Sequence, residues 1–287
     1  MTPLSERAIM EIESIHHQFA SFFKEPALEP IIYELSRKLT EGHICIEPSE
    51  VDLTELQEAG YKSLPTTQQI MASSLVSSAD KNTPFIFVGD RFYMQRYYYY
   101  ETLILDRIKE FVALEVESFP MRLQSLLGLQ DIVKSLFAPR SGEAKEQVNW
   151  QWMAAVTTVL HDFSIITGGP GTGKTTTVAK VLSLLLHLKP DLKIALCAPT
   201  GKAAARMAES LRQAGNNNEP FIKKVFEALE PSTIHRLLGS QLGKPTFKHN
   251  QNNPIKADVV IVDEASMIDV ALMAKLMDAI AKGTRLI

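Results

Sequence analysis

The sequence predicts an α/β protein in two parts, a parallel sheet with helices on both faces preceded by a smaller, mainly helical domain with a β-hairpin. Three observations lead there. Beyond about residue 146, short apolar runs alternate with longer segments of helical period, the pattern of strands covered on both sides. A glycine-rich stretch of the form GxxxxGKT joins the first such run to the first such helix. Upstream, apolar residues recur every three or four positions, and one two-residue turn separates two short β-like runs.

Each element has its own justification. Ile9, Ile12, Ile15, Phe19 and Phe22 mark one helical face over 5–23, which Pro26 and Pro30 end, and a second helix is expected over 30–39. Runs at 85–88 and 92–94 flank Gly89 and Asp90, a pair suited to a hairpin turn. Residues 102–136 read as mostly helical. Ala138, Pro139, Ser141 and Gly142 then compose a linker, so the domains are expected at 1–140 and 146–287. In the second domain, strands are expected over 163–167, 194–198 and 259–262, and helices over 174–188, 202–213 and 270–281. The stretch 239–257, rich in Asn, Pro, Lys and Gly, reads as a loop or small insertion. Residues 284–287 open one more apolar run, and we expect the chain to be a fragment.

Bulk properties bound the function. With 287 residues and 45% hydrophobic content the chain can bury a core for about two domains. No basic, then apolar, leader begins it, and no apolar run nears the roughly 20 residues that span a bilayer. A soluble, cytoplasmic protein is the expectation. Cys45 and Cys197 form no metal or disulfide pattern. The net charge of -3 divides unevenly: residues 1–147 hold 14 Lys+Arg against 22 Asp+Glu, and 148–287 hold 16 against 11. A basic second half suits contact with a polyanion.

The chemistry concentrates in two motifs. In the loop from Gly168 to Thr175, glycines take backbone angles closed to other residues, so that amide N–H groups turn inward around a polyphosphate at a helix N-terminus. Lys174 adds a cation for the β- and γ-phosphates, and Thr175 a hydroxyl for the magnesium that travels with the nucleotide. Asp263 and Glu264 end the apolar run 259–262, at the sheet edge where ligands of open α/β folds bind. The first carboxylate suits magnesium, and the second suits orienting and deprotonating an attacking water. Two further segments, around Thr200 and Lys202 and around Thr233, His235 and Arg236, offer hydroxyls, cations and an imidazole for one nucleic-acid strand. Equally, Ser232 and Thr233 suit helix caps, and His235 a core or surface position.

In order and spacing, GGPGTGKTTT, APTGKAAARM, STIHRLLG and VVIVDEASMID resemble motifs I, Ia, Ic and II of superfamily 1 helicases, and within these the RecD family. The upstream segment FIFVGDRFYMQRYYYY is similar to that family's N-terminal domain, and Asn149-Trp150-Gln151 to the segment whose glutamine reads adenine. The resemblance implies a RecA-like motor domain, the first of two, and an ATP-driven 5′ to 3′ helicase on single-stranded DNA, partnered by RecB and RecC in exodeoxyribonuclease V. By position, it implies that Gln151, Gly169, Gly171, Thr172, Gly173, Lys174, Thr175 and Thr176 bind ATP and that Thr175 and Asp263 hold Mg2+. Lys174 and Glu264 become the catalytic residues, and Thr200, Lys202, Thr233 and His235 contact DNA. It also implies that the N-terminal domain docks on RecC; Tyr97–Tyr100 could belong to that contact, but tyrosines of a helix packing on their own domain are the better reading. The second RecA-like domain and the GDxxQ segment of the family's motor do not occur in this sequence, so these residues are expected to bind ATP weakly, hydrolyse it poorly and unwind nothing. Two rivals stand beside it: another P-loop ATPase, kinase or GTPase, although no NKxD segment occurs, and an assembly module that nucleotide merely stabilises.

Overall fold

The computed structural model describes residues 14–79, 82–138, 148–169, 171–216, 218–241, 243 and 246–287. The chain divides into two compact units, Met1–Thr102 with Asp269–Ala271, and Leu103–Ile268 with Leu272–Ile287.

In the first unit, α1 (Ile15–Phe22) is capped by Ser14, whose hydroxyl accepts from the His17 amide, and α2 (Glu29–Thr40) carries Pro30 in its first turn. Short elements follow: β1 (Cys45–Ile46), α3 (Leu53–Glu58), α4 (Thr67–Ala72) and β2 (Val76–Ser77). β3 (Phe85–Val88) and β4 (Arg91–Met94) form the expected hairpin. Gly89 and Asp90 have φ of +56° and +61°, the two left-handed positions of a type I′ turn. The sheet runs β1-β4-β3-β2 and buries Phe85 and Phe92 against Ile31, Ile32 and Leu35 of α2. β1, which pairs with β4, and β2, which pairs with β3, were invisible in the sequence because two residues show no period.

The expected linker falls mostly on residues 139–147, which lie outside the described residues, and the compact units divide elsewhere. The helical stretch begins earlier than expected, as α5 (Gln95–Leu127) followed by α6 (Gln130–Leu136), and the division falls inside α5. The reason is apolar: from Leu103 onward α5 gives Leu103, Ile104, Ile108 and Phe111 to the core of the second unit.

The second unit is built on a parallel sheet of order β6-β5-β7-β8, with β5 (Ile194–Ala198), β6 (Ser232–Thr233), β7 (Val259–Val262) and β8 (Arg285–Leu286). Side chains alternate across it. Leu196, Val259 and Ile261 face a layer formed by α7 (Trp150–Leu160), α8 (Lys174–Leu188), α9 (Gly201–Gly215) and α10 (Pro220–Ala228). Cys197 and Val260 face α11 (Ile234–Leu238), α12 (Val270–Ala279) and Phe111 of α5. Burial pushes the Cys197 thiol up to about 12, so it serves as a small apolar group.

One strand differs from expectation. Residues 163–167 make a single parallel bridge, Phe163 to Leu286, with the Ser164 amide donating to the Leu286 carbonyl at 3.0 Å. β8 is two residues long, and Ile165 is 77% exposed. The helices α7 and α10 are additions to the expected set. The stretch 239–257 is irregular as expected where described, held by bridges such as Ser240–Phe247 and Ile255–Ile280.

Candidate nucleotide and nucleic-acid site

The approach to the glycine loop is anchored by buried charge. Asp162 is 4% exposed and accepts from Arg122 of α5 at 2.7 Å, while its amide donates to Glu115 at 3.2 Å. Glu115 also pairs with His161, and the Leu286 amide donates to the Asp162 carbonyl at 2.8 Å. Arg285 is half-buried, and that burial together with the Arg122 charge lowers its pKa to about 10. Its guanidinium donates to the Val159 carbonyl at 2.6 Å.

From this anchor the chain turns into α8. Gly171 and Gly173 have φ of +76° and +84°, which glycine adopts without the Cβ clash. The Thr172 hydroxyl donates to the Gly169 carbonyl at 2.8 Å and draws the turn tight. Gly173 caps α8 with backbone alone, so no side chain claims the first-turn amides. The Lys174 ammonium donates to the carbonyls of Gly168 at 2.7 Å and Gly169 at 3.1 Å. Pro170 lies outside the described residues.

Gln151, on the first turn of α7, reaches this loop. Its Nε2 donates to the Thr172 carbonyl at 3.3 Å, and a Cβ placed on Gly173 would lie 2.5 Å from that nitrogen. Close approach of the glutamine therefore demands glycine at 173.

Asp263 and Glu264 follow β7. The Asp263 amide donates to the Cys197 carbonyl at 2.9 Å, and the Asp263 carboxylate accepts from the Glu264 amide at 3.0 Å. Glu264 sits at φ +54°, a left-handed conformation that costs an ordinary side chain about 1–3 kcal/mol and that the sequence did not announce. Burial raises the Asp263 pKa, and the Glu264 charge adds to the rise, against the amide hydrogen bond and Lys174. Lys174, Thr175, Asp263 and Glu264 line one cavity of about 520 Å³, whose other walls include Ile166, Val178, Ile261 and Met277. Among the described residues no group of three or more His, Cys, Asp or Glu is placed to hold a metal.

The remaining residues stand at the carboxyl ends of the neighbouring strands β5 and β6, paired in register Ala198 to Thr233. Thr200 caps α9 by accepting from the Ala203 amide, and Thr233 caps α11 by accepting from the Arg236 amide, each at 3.2 Å. The capping alternative therefore holds for Thr233, and a capping hydroxyl still carries a hydrogen to donate. Lys202 is exposed on the first turn of α9. His235 is exposed and meets Phe247 edge-on, with centroids 5.8 Å apart. On the hairpin side, Tyr98 packs edge-on against Tyr93, while Tyr99 is exposed.

Sequence reasoning missed two residues beside the loop. Lys180 of α8 donates to Gln151 Oε1 at 3.4 Å, and its ammonium lies 4.4 Å from the Phe137 ring centroid. Neither residue belongs to a motif.

Residues 10–93 match the family described as the RecBCD enzyme subunit RecD N-terminal domain, and residues 151–287 match the family described as an AAA domain. The RecBCD enzyme subunit RecD of Mycolicibacterium smegmatis is 32% identical over 259 residues, 88% of this chain and 43% of that protein. The corresponding subunit of Haemophilus influenzae is 46% identical over 151 residues, 50% of this chain and 24% of that protein. The ATP-dependent RecD2 DNA helicase of Deinococcus radiodurans is 41% identical over 127 residues, 44% of this chain and 15% of that protein. The chain thus spans less than half the length of each of these relatives. Among the described residues no helix is long and apolar enough to cross a membrane.

Proposed function

The chain belongs to the RecD family, and from that premise we propose that it supplies the nucleotide site and part of the DNA grip of an ATP-dependent 5′ to 3′ helicase subunit, working with RecB and RecC in double-strand-break repair by recombination. The observation that carries this is one cavity lined by Lys174, Thr175, Asp263 and Glu264, beside two capped helix starts on adjacent strands. A DNA substrate implies a cytoplasmic setting.

In this account the amides of Gly169, Gly171 and Gly173, with Thr172 and Thr176, enclose the phosphates, and Lys174 meets their negative charge. Thr175 and Asp263 would hold magnesium, which neutralises charge on the phosphate oxygens. Asp263 fits the part, since a half-buried carboxylate whose charge burial disfavours gains most from a cation. Glu264 orients the attacking water and takes its proton. Gln151 reads the adenine edge. Thr200, Lys202, Thr233 and His235 engage single-stranded DNA, the first three through phosphates and the imidazole by stacking. The N-terminal unit provides the surface for RecC.

The test is turnover in the intact protein. Lys174→Gln should abolish DNA-stimulated ATP hydrolysis, and Glu264→Gln should preserve ATP binding while stopping hydrolysis. A normal rate in either variant would remove the role assigned.

A further inference from the structure

A primary carboxamide is nearly symmetric in shape, so a glutamine that reads a base must be told which end is which. Gln151 lies between two unlike partners: its Nε2 donates to the Thr172 carbonyl at 3.3 Å, and its Oε1 accepts from the Lys180 ammonium at 3.4 Å. Turning the carboxamide over would set its N–H groups against the ammonium and its oxygen against the carbonyl. Lys180 is itself held, with its ammonium 4.4 Å from the centroid of the Phe137 ring, a favourable cation–π placement. The Phe137 carbonyl accepts from Asn149 Nδ2 at 3.5 Å, and Asn149 Oδ1 caps α7 by accepting from the Trp152 amide at 2.9 Å. The end of α6, the start of α7 and the middle of α8 are thus tied together around one carboxamide.

We propose that Lys180 is a positioning residue that fixes the orientation of the Gln151 carboxamide and so sets the preference for adenine over guanine nucleotides. This rests on Gln151 as the base-reading residue proposed above. In the fixed orientation, the second lone pair of Oε1 and the second hydrogen of Nε2 remain for a base, the match for adenine's N6–H donor and N7 acceptor. Guanine presents its O6 acceptor where adenine presents the donor, against Oε1. A carboxamide free to turn over would offer O6 an N–H, and Lys180 opposes that turn.

The experiment measures the affinities of the chain for ATP, GTP and inorganic tripolyphosphate, each with magnesium, by calorimetry. Wild type, Lys180→Met and Lys180→Arg are compared. Lys180→Met should lose about ten-fold in its ATP-over-GTP preference. Its tripolyphosphate affinity should be unchanged, and Lys180→Arg should keep the wild-type preference. An unchanged preference in Lys180→Met overturns the proposal. So does an equal loss for all three ligands, which would make Lys180 a support of the loop alone. Failure of the wild type to bind ATP or tripolyphosphate would instead remove the nucleotide site itself, and the proposal with it.

Discussion

Alanine at each left-handed glycine of the phosphate loop separates two costs that the motif merges. At Gly171, with φ of +76°, an added Cβ meets nothing within 4 Å. Gly171→Ala therefore bears only the left-handed conformation, about 1–2 kcal/mol. At Gly173, with φ of +84°, the Cβ lies 2.5 Å from Gln151 Nε2 and 3.9 Å from Thr176 Cβ. Gly173→Ala bears the same conformational cost and also pushes the Gln151 carboxamide, the free end of a flexible side chain, off Thr172 and Lys180, about 0.5 kcal/mol for each hydrogen bond. It should thus be about 1 kcal/mol more costly than Gly171→Ala. Urea denaturation followed by tryptophan fluorescence reads this directly, since the two tryptophans, Trp150 and Trp152, both lie on α7 of the second unit. Removing Gln151 removes the collision, so Gly173→Ala combined with Gln151→Ala should cost no more than Gly173→Ala alone. Equal costs at the two glycines, or strictly additive effects with Gln151→Ala, would refute the placement of Gln151 over the loop.

Two further predictions concern charge. The folded Asp263 carboxyl titrates above its unfolded value, so its ionisation opposes folding; that penalty is absent below the unfolded pKa and sets in as pH rises through the folded one. Asp263→Asn should therefore raise the melting temperature at neutral pH but not at about pH 3, while ATP binding loses its response to magnesium; an unraised melting temperature at neutral pH would contradict this. Arg122→Ala leaves Asp162 buried without its ion pair and should destabilise the second unit by about 3–5 kcal/mol in the same fluorescence assay. Adding Asp162→Asn should restore part of that loss, and a full additive penalty in the double variant would count against the pairing.

Long segments with their own period were legible in the sequence. α8 occupies the span its apolar pattern indicated, and β5 and β7 match their apolar runs because strands covered on both faces need no polar alternation. The hairpin was legible because Gly89 and Asp90 tolerate left-handed backbone. Features fixed by a distant partner were not. The run at 163–167 has strand composition, yet its pairing depends on β8, more than a hundred residues later in the chain. α7 was masked by exposed apolar residues, Trp150, Trp152 and Met153, which blur its buried face of Ala155, Val159 and Leu160. The division inside α5 follows from Leu103, Ile104, Ile108 and Phe111 joining a core otherwise built from residues beyond 160. In the candidate site, motif spacing located the loop and the carboxylates, and named Gln151 only through family resemblance. It was silent on the left-handed Glu264 and on Lys180, whose importance arises from where three helices meet.

If the loop at 168–175 and Asp263 form one nucleotide and magnesium site, calorimetric titration of the chain with ATP, with and without magnesium, in wild type and in Lys174→Gln will reveal it. Wild type should show one saturable site, strengthened by magnesium, and Lys174→Gln should lose that site while keeping its unfolding midpoint. Equal affinity in the two proteins, or binding indifferent to magnesium, would contradict it.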